Sequence, residues 1–194
     1  EAMRLEPKDA RGPINRGLLY LSIGLVDRAI ADFDLAVQLQ PDSLEALINR
    51  GYAHHLREDF DQAILDFTAA LKVFPNHTLA LSNRGNSLSK KGRHAEAIKD
   101  FDAAIAQNGR EAMLYVNRGS AYGAMNDHAR ALKDFDQALA LDSNLAAAYR
   151  NRGGAHHHLG QRAQAQADYA KALALEPSAI DRVPPQYRPG NPAR

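Results

Sequence analysis

The sequence repeats itself every 34 residues. The tripeptide Asn-Arg-Gly begins at Asn15, Asn49, Asn83, Asn117 and Asn151. An Asp followed by an aromatic residue keeps the same spacing, at Asp32-Phe33, Asp66-Phe67, Asp100-Phe101, Asp134-Phe135 and Asp168-Tyr169. Because five units follow one another without an insertion, the chain is predicted to fold as a stack of equivalent supersecondary structures.

Each repeat is predicted to contain two helices. Apolar and small residues recur at helical spacing in two blocks, for example residues 44–56 and 60–74. The turn between the blocks carries Gly24, Glu58, Gly92, Asn126 or Gly160. Gly and Asn accept the left-handed conformation that ends many helices, which favours a helix, a turn and an antiparallel helix. Asp42 and Asn76 are predicted to cap the first helices of two repeats.

Small and aromatic residues occupy fixed places in all five units. With Ala10 as position 1, every unit has Gly at position 8, Ala at positions 20 and 27, and an aromatic residue at position 24. This pattern resembles the tetratricopeptide repeat family. The resemblance implies an all-α fold, a right-handed α-solenoid in which five helix-turn-helix units stack into a superhelix.

The register of the pattern sets the expected boundaries. Residues 1–9 are expected to be the remnant of a preceding repeat or a linker, and residues 180–194 a Pro-rich C-terminal tail. The five repeats are expected at residues 10–43, 44–77, 78–111, 112–145 and 146–179. Ser178 to Val183 are expected to form one helical turn. From Pro184 on, an extended segment is expected, held by the last repeat or by a neighbouring molecule.

The charge balance disfavours several classes of partner. The chain has 24 Lys and Arg against 23 Asp and Glu, a formal net charge of +1, so no overall field attracts nucleic acid or an anionic membrane. No apolar run approaches the roughly 20 residues of a spanning helix. We expect a soluble protein with a protein or peptide partner, no nucleic acid and no membrane. The cytoplasm is favoured, but an exported compartment stays open because the chain begins at Glu1 and its natural N-terminus is not visible.

The residues that usually carry chemistry are missing or badly placed. There is no Cys, no Gly-rich phosphate loop and no Ser in a nucleophile motif. The runs His54-His55 and His156-His157-His158 cannot converge on one ion, because successive helical residues point about 100° apart. The expectation is a protein that is not an enzyme and has no cofactor and no metal site.

The resemblance also implies where a ligand binds. In the family, the first helices of the repeats line a concave groove. At the positions that face it, this chain has Ile14, Leu18, Leu21, Ile48, Tyr52 and Leu56 in the first two units, Asn86 in the third, and Arg150, His157 and His158 in the last. One end of the groove is expected to select hydrophobic side chains and the other to favour acidic ones.

An Asn stands at position 6 of every repeat, as Asn15, Asn49, Asn83, Asn117 and Asn151. An Asn amide can donate to the C=O and accept from the N–H of a peptide bond, whatever side chain the peptide carries. The ladder resembles the one that lines the superhelix of O-linked N-acetylglucosamine transferase, although nothing resembles that enzyme's catalytic domain. It is expected to hold an extended backbone. The alternative is that each Asn bonds only a neighbouring helix or water.

An Arg at position 7 recurs with an Asp at position 23. The predicted structural ion pairs are Arg16–Asp32, Arg50–Asp66, Arg84–Asp100, Arg118–Asp134 and Arg152–Asp168. The alternative is a ladder of Arg side chains for phosphate in the groove. No unit has the Lys at position 5 or the Arg at position 6 of the family's carboxylate clamp, so binding of chaperone tails is not expected.

These features predict a protein-interaction module, a non-catalytic adaptor that binds an extended peptide segment of a partner in its groove. The alternative is a self-assembling scaffold, in which the first helix or the C-terminal tail engages another copy. Ile14, Leu18 and Leu21 have little sequence ahead of them to cover their side chains, and an exposed apolar patch there would favour association. Truncation of a longer array would create the same patch equally well.

Overall fold

The computed structural model describes residues 9–190, and every regular element in that range is helical. The chain divides into two compact units, residues 1–93 and 94–194. Apart from Asp9, the expected linker or repeat remnant at residues 1–9 lies outside the described residues.

Unit 1 contains five α-helices within its described part. They are α1 Arg11–Ser22, α2 Val26–Leu39, α3 Leu44–Leu56, α4 Phe60–Val73 and α5 Thr78–Lys90. Each helix packs against the next one along the chain, and α3 also contacts both α1 and α5. The first helices of the repeats are therefore neighbours in this unit, each followed by its second helix.

Unit 2 also contains five α-helices within its described part, followed by two short 3₁₀ helices. The α-helices are α6 His94–Gln107, α7 Ala112–Ala124, α8 His128–Leu141, α9 Ala146–His158 and α10 Arg162–Leu175. Consecutive helices pack together and α9 also contacts α7, which is the packing pattern of unit 1. The predicted all-α stack of helix pairs is thus confirmed within each unit.

One aromatic ring fills the space between the two helices of a repeat. In unit 1, Phe33 and Phe67 are completely buried. Each ring lies against the Gly at position 8 of its own repeat, Gly17 or Gly51, where a side chain would collide with it. In unit 2, Phe135 lies in the same way against a Gly of α7. The small and aromatic positions of the repeat are therefore two halves of one packing contact.

The turn between the two helices of each repeat contains one residue with positive φ. These residues are Gly24, Glu58, Gly92, Asn126 and Gly160, as the sequence predicted. Glu58 and Asn126 carry a side chain in this conformation, at φ angles of 63° and 62°. Asn adopts it more readily than Glu, so Glu58 is the strained member of the set.

The N-caps lie one residue later than predicted. Ser43 Oγ accepts a hydrogen bond from the N–H of Ala46 at 3.3 Å, and His77 Nδ1 accepts one from the N–H of Ala80 at 3.3 Å. The prediction of Asp42 and Asn76 was wrong, because each of these residues forms a turn with the Pro before it and the helix begins two residues later.

The described part of the C-terminal tail folds back on unit 2. Pro177–Arg182 and Pro185–Tyr187 form 3₁₀ helices that contact α10. Val183 and Tyr187 are buried in a cluster with Tyr169 and other residues of α10. The expected extended conformation was wrong for Pro185–Tyr187, which form a 3₁₀ helix, whereas the expectation that the last repeat holds this segment is confirmed by the burial of Tyr187 against α10.

Candidate functional site

Within each unit the first helices of the repeats lie side by side, and we call their shared surface the first-helix face of that unit. It is made of α1, α3 and α5 in unit 1 and of α7 and α9 in unit 2. The Asn of position 6 lie on these five helices, at Asn15, Asn49, Asn83, Asn117 and Asn151. Asn15 is exposed and the other four are half-buried. All five amides are therefore accessible to some degree.

Most of these Asn side chains have no partner within the protein. Among residues 9–190, no side-chain hydrogen bond is formed by Asn15, Asn49, Asn83 or Asn117. Asn151 differs, since its Nδ2 donates to Ser120 Oγ of the preceding repeat at 3.0 Å. Four amides therefore keep both donor and acceptor groups for a ligand.

The apolar residues expected in the groove of unit 1 divide into exposed and buried members. Leu18, Tyr52 and Leu56 are exposed, by 38%, 42% and 46%. Ile48 keeps only 7% exposure, so it offers a ligand little surface. Ile14 is buried with Ala10, Ala36 and Ala46, which corrects the expectation that it lacks packing partners.

A polar contact links the first helices of the second and third repeats. His55 Nδ1 lies 2.8 Å from Ser87 Oγ, and this hydroxyl donates its hydrogen to the C=O of Asn83. His55 is therefore the donor to Ser87. Burial lowers the pKa of His55, which favours its neutral form. Asn86 is half-buried one position away, and its side chain forms no hydrogen bond with the residues that the structure describes.

Four of the predicted Arg–Asp pairs have bidentate geometry. Arg Nη2 lies 2.6–2.7 Å from Asp Oδ1 in Arg16–Asp32, Arg50–Asp66, Arg118–Asp134 and Arg152–Asp168. The Asp residues are buried, and the hydrogen bonds that Arg118 donates to Asp134 raise the pKa of Arg118 above its ordinary value. These guanidinium groups bind the protein itself, which favours the structural role over a phosphate ladder. Arg84 and Asp100 belong to different units, and their pairing stays a prediction.

Several of these Arg side chains also bind the preceding repeat, which the sequence reasoning missed. Nη1 of Arg50, Arg118 and Arg152 lies 2.9, 2.6 and 2.7 Å from Asp34, Asp102 and Asp136, respectively. The corresponding partner of Arg84 is the hydroxyl of Thr68, at 3.2 Å. A signal was present, because the sequence has Asp-Phe-Asp at 32–34, 100–102 and 134–136 but Asp-Phe-Thr at 66–68.

The residues of the last repeat that were expected to favour acidic ligand side chains, Arg150, His157 and His158, make different contacts. His157 Nδ1 lies 2.9 Å from the hydroxyl of Tyr187, so it binds the tail. His158 instead stacks on His128, with ring centroids 4.6 Å apart and nearly parallel planes. Arg150 Nη1 lies 3.9 Å from Glu176 Oε2, beyond hydrogen-bond distance.

A cavity of about 360 Å³ lies in unit 2 between the first-helix face and the tail. We call it the basic pocket. Its polar lining consists mainly of Ser120, His128, Arg150, Asn151, His158 and Arg182. The sequence reasoning did not identify His128 or Arg182, because the pocket depends on the stacking of α8 on α9 and on the folded tail.

The described part of the chain bears on two expectations from the sequence, one about metal sites and one about membrane spans. Residues 9–190 contain no group of three or more His, Asp or Glu side chains arranged to hold a metal ion. In the same range, no helix has the length and apolarity needed to cross a membrane.

Family models of the tetratricopeptide repeat match most of the chain. One model matches residues 14–66 and 57–112, a second matches residues 112–145, and a third matches residues 146–178. Among curated proteins, none matches this sequence.

Several solved structures share the fold. A fragment of MamA from Desulfovibrio magneticus RS-1 has a TM-score of 0.81 at 22% identity, and the match covers 89% of this chain and 97% of that one. YrrB, described as a TPR protein with an unusual peptide-binding site, has a TM-score of 0.73 at 22% identity, with 90% of each chain covered. A chain of the APC/C hetero-tetramer Cut9-Hcn1 has a TM-score of 0.79 at 21% identity, with 91% of this chain but 35% of that one covered. At such identities the likeness shows the fold alone.

Proposed function

Because the chain belongs to the tetratricopeptide repeat family, whose members are generally interaction modules, we propose that it is a non-catalytic adaptor for an extended segment of a partner protein. The ligand binds on the first-helix face. The observation that carries this proposal is the set of four Asn amides without a partner among the described residues.

The Asn side chains supply affinity that does not depend on the sequence of the ligand. Unit 1 presents three of them on adjacent helices, at Asn15, Asn49 and Asn83. Each can accept from an N–H and donate to a C=O of the ligand backbone. The ladder of O-linked N-acetylglucosamine transferase is an analogy for this arrangement, and the peptide-binding site named for YrrB supports a ligand of this class.

Side-chain selection comes from the neighbours of the Asn residues. In unit 1, Leu18, Tyr52 and Leu56 are exposed beside the amides and favour hydrophobic side chains of the ligand. In unit 2, Arg150 is near Asn151 and favours an acidic side chain.

A peptide-display selection on the intact chain tests the proposal. Selected peptides are then measured against an Asn83→Ala, Asn117→Ala double variant. We expect each substitution to weaken binding by about 1 kcal/mol, the net value of a hydrogen bond. The matched control is Asn76→Ala, Asn144→Ala, which removes two exposed loop amides. Equal affinities for all three proteins refute the role of the ladder.

One observation supports the alternative function, a self-assembling scaffold. Leu19 on α1 and Ile23 directly after it are 60% and 61% exposed and can pack against another copy. Ile14 no longer supports this alternative, because it is buried, and the described tail packs on its own α10. Light scattering across a concentration series separates the two functions. A monomer at every concentration removes the scaffold, whereas a dimer that is lost in Leu19→Lys favours it.

A further inference from the structure

The basic pocket is lined by basic side chains and by no acidic ones among the described residues. Its lining includes two arginines, Arg150 and Arg182, and the two histidines His128 and His158. No Asp or Glu stands among the described residues that line it. A cavity with cationic and neutral donors but no acidic lining favours an anionic occupant.

The two arginines keep their hydrogen-bond donors available. The nearest carboxylate is Glu176, whose oxygens lie 3.9 Å from Arg150 Nη1 and 3.8 Å from Arg182 Nη1. Neither guanidinium forms a side-chain hydrogen bond with a residue in the range 9–190. The contrast is with Arg118, which binds two carboxylates at 2.6–2.7 Å. Glu176 therefore lies near both arginines without occupying their donors.

The pocket also offers uncharged donors on the first-helix face. Asn151 gives one amide hydrogen to Ser120, and the other hydrogen has no partner in the described part of the chain. Asn151 belongs to the same ladder that we propose to hold the ligand backbone. A residue bound at that point of the ladder therefore has the basic pocket beside it for its side chain.

His128, which is stacked on His158 in the pocket, makes the pocket responsive to protonation. Burial and the neighbouring His158 lower the pKa of His128, and Asp127 opposes them only weakly, since Arg130 binds that carboxylate. The other charged or titratable groups that line the pocket or contact its lining include Arg150, Arg182, Glu176, His157 and Tyr169. An anion in the pocket favours the protonated imidazole, so binding takes up a proton.

We propose that the basic pocket is the recognition site for an anionic side chain of the bound segment, either a carboxylate or a phosphorylated residue. The proposal deepens the proposed function, because it names the chemistry of one ligand side chain, and it rests on that function for the ligand's extended form. For a carboxylate, whose charge does not change in this range, the affinity increases as the pH falls from 7.5 to 6.

Blocked single residues test the pocket separately from the ladder. The probes are the N-acetyl N-methylamides of phosphoserine, glutamate and glutamine, added to the intact isotope-labelled chain and followed by NMR. We expect saturable shifts of the His128 and His158 ring signals with phosphoserine and glutamate, and none with glutamine. The titration midpoint of His128 should rise by about half a pH unit or more with bound anion. The comparison of phosphoserine with glutamate decides which anion the pocket prefers.

Two substitutions should change the affinity in opposite directions. Arg182→Gln removes a cation and should weaken binding at least about fivefold. Glu176→Gln removes the competing carboxylate and should strengthen binding about twofold. The control Arg110→Gln makes the same charge change on an exposed loop of unit 2 and should leave the affinity unchanged.

The outcomes separate this proposal from the proposed function. Equal binding of the glutamine and glutamate probes, or equal losses in Arg182→Gln and Arg110→Gln, overturns the pocket. If the anionic probes bind but the selected peptides have the same affinity for the intact chain and the Asn83→Ala, Asn117→Ala variant, the role of the pocket is supported and that of the Asn ladder is refuted. If the peptides lose affinity for the double variant but none of the probes binds, the role of the Asn ladder is supported and that of the pocket is refuted.

Discussion

Gly51 lies directly beneath the ring of Phe67, so close that a Cβ added to Gly51 would be 2.8 Å from Phe67 Cε1. Real Cβ contacts are not that short, and Phe67 is fully buried, so the ring has no free space into which to move. The contact joins the two helices of one repeat. The recurrence of Gly at position 8 is therefore set by the aromatic residue at position 24.

Gly51→Ala should lower the free energy of unfolding by about 1–3 kcal/mol, because the core is overpacked. Gly123→Ala is the matched control, since nothing lies within 4 Å of its added Cβ. There the better helix propensity of Ala should raise stability by about 0.5 kcal/mol. Denaturant unfolding of both variants measures the difference. Equal effects of the two substitutions would show that the ring does not restrict position 8.

Asp134→Asn should be much more destabilising than Asp102→Asn, although both carboxylates bind Arg118. Asp134 is buried and bidentate, so its neutralisation leaves a poorly compensated charge and should cost about 2–3 kcal/mol. Asp102 is about half exposed, so its loss should cost about 0.5 kcal/mol. Thermal and denaturant unfolding give both values. A larger loss for Asp102→Asn contradicts the assignment of the buried pair as the main contact.

Glu58→Gly should stabilise the protein by about 0.5–1 kcal/mol, because Glu58 has a φ of 63° that Gly adopts without strain. Glu58→Ala serves as the control, since it removes the same side chain but keeps the Cβ. Asn126→Gly should give a smaller gain than Glu58→Gly, because Asn tolerates this conformation. If Glu58→Ala and Glu58→Gly have the same stability, the gain does not come from the backbone.

Acidification from pH 7 to 5 should destabilise the protein partly through His54. Burial lowers the pKa of His54, with Arg57 acting in the same direction and Asp66 and Asp59 opposing. The unfolded chain, with an ordinary His pKa of about 6.5, therefore takes up the proton first. The contribution of His54 is complete above that pH and is lost as the pH falls through it toward the folded pKa.

His54→Gln tests this pH dependence by removing the titrating group. The melting temperature of the variant should fall less between pH 7 and 5 than that of the parent chain. The same slope in both proteins would assign the acid sensitivity to other groups, such as His55 and His128, whose pKa values are also lowered.

The local structure of the repeats could be predicted because each signal is repeated five times. The turn residues from Gly24 to Gly160 were identified with their left-handed conformation, since few residue types accept positive φ. The caps were misplaced by one residue, because Ser and His at positions 43 and 77 compete with the adjacent Asp and Asn. That competition is decided by where the turn after each Pro ends.

The surroundings of the candidate site could be predicted only in part. The positions of the Asn residues follow from the helical register, but the burial of Ile48 depends on its neighbours in three dimensions. The pairing of His157 with Tyr187 joins residues 30 apart, through a tail whose composition suggested no packing of its own. Contacts made by a single, non-repeated segment leave no periodic signal in the sequence.

The Thr at position 68 has a consequence for how the stack of unit 1 opens. Where Arg50 reaches a carboxylate of the preceding repeat, Arg84 reaches the hydroxyl of Thr68 at 3.2 Å. In a linear array, cooperativity passes only between nearest neighbours, so a weaker link divides the array into parts that fluctuate independently. Because an exposed ion pair of this kind contributes about 0.5 kcal/mol, the amide hydrogens of α5 should exchange with solvent about twofold more slowly once Thr68→Asp supplies the missing carboxylate.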